Sequence, residues 1–104
     1  MKIFYNVTVI IDDSIIEEWK SWMVNTHIPA VMATGAFESY QLTQVITEGS
    51  EGGTTFAIQY LSPSKEEYER YQIQHAPKLQ DEHKNKYNGK FGAFRTLMEV
   101  ISHG

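Results

Sequence analysis

The sequence contains no cysteine among its 104 residues. This absence excludes disulfide bonds, thiolate nucleophiles, iron–sulfur clusters and cysteine-based zinc sites. The chain also lacks the His-Glu-x-x-His and Gly-x-Ser-x-Gly motifs, and its glycine-rich stretch 49–53 lacks the Lys-Ser/Thr pair of a phosphate-binding loop. We therefore predict no metal site and no cofactor.

Positive charge and long apolar runs are also scarce. Nine basic residues stand against 13 acidic ones, and the densest basic group, Lys84, Lys86 and Lys90, is too loose to bind a nucleic-acid backbone. No apolar run approaches membrane-spanning length, and the first residues form an alternating strand pattern rather than the apolar core of a signal peptide. We expect a cytoplasmic protein that binds neither nucleic acid nor a membrane.

The sequence does contain one pattern written twice, a strand followed by a helix and a second strand. The first helix is predicted to open with a capping box, Ser14 and Glu17, and the second with Ser64 and Glu67. Each helix is then interrupted by His-x-Pro, at 27–29 and 75–77, because proline lacks a backbone donor. The order βαββαβ predicts a single ferredoxin-like α+β domain over residues 1–104, with a four-stranded antiparallel sheet and two helices on one face.

Residue alternation places the strands at 3–11, 37–47, 54–61 and 91–101, with a glycine-rich hairpin turn at 48–53. The helices are predicted to end at Gly35 and at Asn88-Gly89. In the last strand we assign Phe94, Thr96, Met98 and Val100 to the face under the helices, which leaves Arg95 and Glu99 on the other face.

The face turned away from the helices is predicted to mix polar and apolar side chains. Such a face would expose a sizeable apolar patch if it were left in water, so we expect it to pack against a second copy of the chain in a homodimer. Its members are predicted to be Asn6, Thr8, Gln41, Thr43, Gln59, Arg95 and Glu99 together with Phe4, Ile10, Val45, Leu61, Leu97 and Ile101.

Several short motifs spread over about the whole chain carry a resemblance to known proteins. They are Tyr5-Asn6-Val7-Thr8, Trp22, His27-Ile28-Pro29, 31–35, Gly53-Thr54-Thr55, Gln59-Tyr60, Glu69-Arg70-Tyr71, Ala76-Pro77 and the stretch 91–100. Together with the βαββαβ order, these motifs resemble the dimeric α+β barrel superfamily, and more narrowly an uncharacterised bacterial family, the domain of unknown function 4286. The resemblance implies a homodimer with a pocket between sheet and helices, in a superfamily that includes cofactor-independent monooxygenases, isomerases, haem enzymes and ligand-sensing domains.

His27 is the first candidate for chemistry, because imidazole transfers protons near neutral pH. It adjoins the interruption at Pro29, where a widened helix would border a cavity and Trp22 would supply an apolar wall. The alternative is that the His27 ring only bonds a carbonyl that the interruption frees.

Arg95 is the second candidate, because a cation in the middle of a strand needs a partner. Glu99 lies roughly 13 Å along the same strand, at ~3.3 Å per residue, and is out of direct reach. We predict either a pair with Glu99 or Glu38, across a two-fold axis or from a neighbouring strand, or an anchor for an anionic ligand. Gln59 and Tyr60 are predicted to line the same region.

His75 and His83 lie eight residues apart and are expected to face the sheet. We predict that His75 contacts the ligand. Both histidines also fit an ordinary amphipathic stripe, and the weaker alternative is that one of them is an axial ligand of haem.

Small-molecule binding in a homodimer is the function we predict. One alternative is a cofactor-independent monooxygenase or isomerase acting on a small aromatic or enolisable substrate, with His27 as proton acceptor and Arg95 stabilising the anion. The other is a protein-interaction module without a pocket. An enzyme would require His27 and Arg95, or a similar pair, to meet in one cavity.

Overall fold

The computed structural model describes residues 1–47 and 52–104. Four strands form one antiparallel sheet in the order β2-β3-β1-β4, as a ferredoxin-like βαββαβ chain requires. The fold class predicted from the sequence is therefore confirmed. Most of the predicted hairpin turn, residues 48–51, lies outside the described residues. The strands are β1 Ile3–Asp12, β2 Ser39–Gln44, β3 Gly53–Ser62 and β4 Phe91–Glu99.

Both helical connections are interrupted at their His-x-Pro sequences, as predicted. A 3₁₀ turn, Asp13–Ile15, leads into the first connection. It comprises α1 Ile16–Trp22, a π-helical segment Met23–His27 and α2 Ile28–Ala33. The second comprises α3 Lys65–Gln74 and α4 Ala76–Lys86. Among the described residues, none of these helices combines the length and the apolar character that a membrane crossing requires.

Of the two predicted capping boxes, only the Ser64 half of the second one forms. The Ser64 hydroxyl accepts a hydrogen bond from the Glu67 amide at 3.1 Å, and the Glu67 carboxylate pairs with Arg70 instead of reaching back. At the first helix the prediction of a Ser14 cap is wrong. The Asp12 carboxylate accepts from both the amide and the hydroxyl of Ser14, because a charged oxygen is the stronger acceptor.

The helical connections end close to the glycines, as predicted from the sequence. Gly35 and Gly89 have φ angles of 78° and 79°, in the left-handed region that glycine enters without a steric penalty. Strand β2 is shorter than the predicted 37–47, since Phe37 precedes it and is buried in the core. Strand β4 ends at Glu99 instead of Ile101.

The two faces of β4 are the reverse of the prediction. Val7 pairs with Arg95 and Tyr5 pairs with Leu97, and Tyr5 lies beneath the helices. Arg95 and Glu99 therefore point to the helix side. Phe94 points to the face turned away from the helices, which we call the open face. The sequence misled because β4 is an edge strand whose side chains are largely exposed on both faces, so that its alternation says little about which side is covered.

With that correction, the open face of the sheet carries no charge over its central rows. The uncharged stretch runs from Phe4 to Ile10 on β1 and includes every residue that pairs with it. On the helix side the core is apolar and aromatic, with Trp19, Phe56 and Ile58 almost completely buried. The members of the open face are Phe4, Asn6, Thr8, Ile10, Ser39, Gln41, Thr43, Thr55, Ala57, Gln59, Leu61, Gly92, Phe94, Thr96 and Met98.

Candidate functional site

A cavity of about 350 Å³ lies between the sheet and the helices. Its exposed lining residues belong to α4 and to the start of β4, so the cavity opens between these two elements. The apolar part of the lining comes from Val7, Val9, Met23, Val31, Ile58, Leu79, Phe91 and Ala93. The polar lining comes from Tyr5, His27, Tyr60, Tyr71, Gln80, Asp81, His83, Lys84 and Arg95.

His27 reaches this cavity from the end of the π-helical segment. The Ile28 amide bonds to the carbonyl of Met23, five residues back. Pro29 has no backbone N–H and therefore cannot donate a hydrogen bond to the carbonyl of Asn25. Segments of this kind are frequent at functional sites. The indole of Trp22 stacks on the His27 ring, with centroids 5.1 Å apart, so Trp22 fixes the orientation of the imidazole.

The His27 ring is held neutral by its surroundings. Burial lowers its pKa below the ordinary histidine value, and Glu82 offsets only part of that effect. Its Nδ1 atom is buried and makes no hydrogen bond within the described residues. A neutral imidazole in a cavity can accept a proton from a bound molecule.

His83 is a second imidazole in the same cavity, which sequence reasoning did not place there. The indole nitrogen of Trp19 donates to His83 Nε2 at 2.9 Å, and the rings of His27 and His83 are 5.8 Å apart. Burial lowers the pKa of His83 to about 4, with further contributions from His27 and Arg95. No local pattern signals this contact, because Trp19 and His83 are 64 residues apart in the chain.

Arg95 lines the same cavity and lies beside a tyrosine cluster. Its Nε donates to the hydroxyl of Tyr5 at 3.1 Å, and the Tyr5 ring packs against Tyr60 and Tyr71 at 6.0 and 6.1 Å. Burial raises the pKa of Tyr60 and of Tyr71, so both hydroxyls stay protonated near neutral pH.

Arg95 forms no ion pair with a neighbouring strand of its own chain within the described residues, and a pair across an interface stays a prediction. Within residues 1–47 and 52–104, none of the ion pairs involves Arg95, and Glu38 instead pairs with Lys2 at 2.7 Å. The guanidinium therefore has a neutral partner, the Tyr5 hydroxyl, and still offers donors to the cavity.

The structure brings together three of the six predicted site residues. His27, Tyr60 and Arg95 line the cavity, while Trp22 backs the His27 ring without lining it. Gln59 lies on the open face, because neighbouring residues of a strand point to opposite sides. The sixth residue, His75, lines a separate, smaller cavity with Ala30, Thr34, Gln74, Lys78, Leu79 and Glu82.

The described residues contain no group of three or more histidine and carboxylate side chains able to hold a metal ion. Neither histidine that was predicted as an axial haem ligand offers a free Nε2 atom in the main cavity. His83 Nε2 is already engaged by Trp19, and His75 lies outside the main cavity.

A family model described as "Domain of unknown function (DUF4286)" matches residues 2–101. A search of curated proteins finds no match.

Solved structures share the fold. SnoaB, a cofactor-independent oxygenase from Streptomyces nogalater, is 10% identical with a TM-score of 0.71, covering 99% of this chain and 97% of its own. An ethyl tert-butyl ether D (EthD) family protein from Bacillus halodurans C-125 is 14% identical with a TM-score of 0.68, at 95% and 99% coverage. A dimeric ferredoxin-like protein from an uncultured marine organism is 13% identical with a TM-score of 0.68, at 98% and 97% coverage. At these identities the likeness concerns the fold alone.

Proposed function

We propose that this chain, which belongs to the DUF4286 family, is a homodimeric protein that binds a small aromatic molecule with an acidic oxygen. One observation carries the proposal. His27 and Arg95 are 68 positions apart in the numbering, yet both line the same cavity. Apolar side chains line the same cavity, and a concave site that combines apolar walls with convergent polar groups is typical of ligand sites.

The chemistry of the lining supports the ligand class. Arg95 supplies a cation, and the buried tyrosines supply neutral hydroxyls beside it. A guanidinium binds a carboxylate or phenolate oxygen through charge-assisted hydrogen bonds. A volume of about 350 Å³ is near the lower end of the range for small-molecule pockets, which favours one or two rings over a large cofactor.

The uncharged open face supports the homodimer. Two copies of this face can approach without charge repulsion, and their apolar side chains, among them Phe4, Leu61, Phe94 and Met98, would leave water. Its amides and hydroxyls can donate as well as accept, so the surface is able to pair with itself across a two-fold axis. A solved structure with this fold is described as a dimeric ferredoxin-like protein, which agrees with the proposal.

Thermal shift with matched ligands tests the binding site. Wild-type protein, Arg95→Met and Lys65→Met would be melted with benzoate, 4-hydroxybenzoate, quinones and the uncharged analogue toluene. Lys65 lies outside the cavity and is the control for loss of one positive charge. We expect the acidic ligands to raise the melting temperature of wild type and Lys65→Met. Arg95→Met should bind them at least about tenfold more weakly, the usual cost of a lost hydrogen bond to a charged group.

Two results would contradict the proposal. If no compound changes the melting temperature of the wild type, the interaction module becomes the better interpretation. If Arg95→Met responds as the wild type does, the cavity does not select an anion.

Enzymatic activity is the second candidate, and the neutral imidazoles favour it. His27 is placed to take a proton from an acidic O–H or C–H group of a bound molecule, and Arg95 to stabilise the anion that results. SnoaB, which has this fold, is described as a cofactor-independent oxygenase. Any ligand found by thermal shift should be incubated in air with wild type and His27→Gln. Turnover that the variant loses while it still binds would support an enzyme.

A further inference from the structure

The contact between Trp19 and His83 determines where the proton of His83 lies. It joins α1 to α4 inside the core, with the indole nitrogen 2.9 Å from His83 Nε2. An indole N–H can only donate a hydrogen bond, so Nε2 must offer its lone pair. A neutral imidazole with an unprotonated Nε2 carries its proton on Nδ1.

The surroundings of the ring oppose the other protonation states. An imidazolium would place an N–H against the Trp19 N–H and lose the hydrogen bond, and it would be buried near Arg95. Phe91 packs edge-on against the ring at 4.4 Å and Tyr87 packs at 5.5 Å, which restricts rotation of the imidazole. The neutral Nδ1–H form is the one that this packing accommodates.

The His83 ring lines the cavity, and within the described residues no hydrogen bond involves its Nδ1. This atom is thus a donor without a protein partner there. Arg95 lines the same cavity and is near enough to influence the titration of His83.

We propose that Trp19 holds His83 in the Nδ1–H tautomer, and that this N–H donates to an oxygen of the bound ligand, which also accepts from the guanidinium of Arg95. The inference rests on the proposed function and deepens it, because it makes His83 a residue that selects the ligand. The ligand is then a molecule whose carboxylate, phenolate or carbonyl oxygen accepts from both donors. Trp19 is a positioning residue that does not touch the ligand.

Nitrogen NMR of the ligand-free protein tests the tautomer. Long-range ¹H–¹⁵N correlation spectra at pH 7 should show His83 with a protonated Nδ1 and an unprotonated Nε2. Trp19→Phe should give a mixture of tautomers. Trp22→Phe should keep the wild-type pattern, because the Trp22 indole packs against both imidazoles but the hydrogen bond to His83 Nε2 comes from Trp19. A wild-type His83 protonated on Nε2 would overturn the inference. This measurement uses only the wild-type protein, so it does not depend on whether a variant folds.

Benzoate titration tests the donor role. The His83 Nδ1–H resonance should shift as benzoate saturates the wild type. His83→Gln keeps one acceptor and one donor and should bind within about threefold of wild type. His83→Leu has neither and should bind about tenfold more weakly, with toluene affinity unchanged.

The outcomes separate the two proposals. If benzoate binds, yet the Nδ1–H resonance stays in place and His83→Leu binds normally, the role of His83 is wrong and the site stands. If neither benzoate nor any other acidic compound binds the wild type, the proposed anion site fails, and the donor role fails with it.

Discussion

Acid should destabilise this protein through His83 over a defined pH range. The pKa of His83 is lowered from 6.5 to about 4 because the folded protein buries the neutral ring. The unfolded chain therefore binds a proton more readily than the folded chain does. The stability that this group contributes is complete above pH 6.5 and is lost progressively as the pH falls toward 4.

The size of the effect follows from the two pKa values. At roughly 1.4 kcal/mol per pKa unit, they make the free energy of unfolding about 2 kcal/mol smaller at pH 5 than at pH 8. Water at the cavity mouth screens part of the cost of charging the ring, so we expect a loss of about 1–2 kcal/mol from His83. Burial lowers the pKa of His27 as well, and its contribution has the same sign.

Urea denaturation followed by circular dichroism at pH 8 and pH 5 measures this loss. His83→Gln cannot titrate and keeps an acceptor for Trp19, so it should lose about 1–2 kcal/mol less than wild type between the two pH values. His103→Gln changes an exposed histidine of the tail and should lose as much as wild type. All three proteins have the same carboxylates, so the stability change from carboxylate titration cancels when their losses between pH 8 and pH 5 are compared. Equal losses in wild type and His83→Gln would show that His83 is not buried neutral, and the reasoning would be refuted.

Three further predictions concern the dimer, the helix start and the cavity wall. Ala57→Glu, in the middle of the open face, should convert the proposed dimer to folded monomers in sedimentation velocity, while Arg95→Glu on the other face should leave the proposed dimer intact. The reverse result would place the interface elsewhere. Ser64→Ala should lower the free energy of unfolding by about 1 kcal/mol, and Ser14→Ala should lower it by less, since only Ser64 caps its helix. Equal losses of the two variants in urea titrations would argue against Asp12 as the cap of the first helix. Leu79→Ala, which enlarges both cavities, should lower the free energy of unfolding by about 2–4 kcal/mol in the same assay. A decrease below about 1 kcal/mol would mean that Leu79 is not packed as described.

Local signals in the sequence were sufficient for the fold class and for the position of His27. The repeated strand and helix patterns predicted the βαββαβ order, and Pro29 and Pro77 predicted where the helices are interrupted. These signals work because proline and glycine act on the backbone at their own positions, whatever lies around them. The same logic fails at Ser14, where a neighbouring carboxylate, Asp12, competes for the cap.

The sequence by itself thus determined the element order, the helix interruptions and the residue types available for a site. Only the tertiary structure decided which face of β4 is covered, and with it that Arg95 enters the cavity while Gln59 stays outside. It also decided that Trp19 bonds His83 across 64 residues of chain. Alternation in an exposed edge strand says little about which face is covered, and a contact between distant helices depends on how whole layers pack. No short stretch of sequence encodes either of these arrangements.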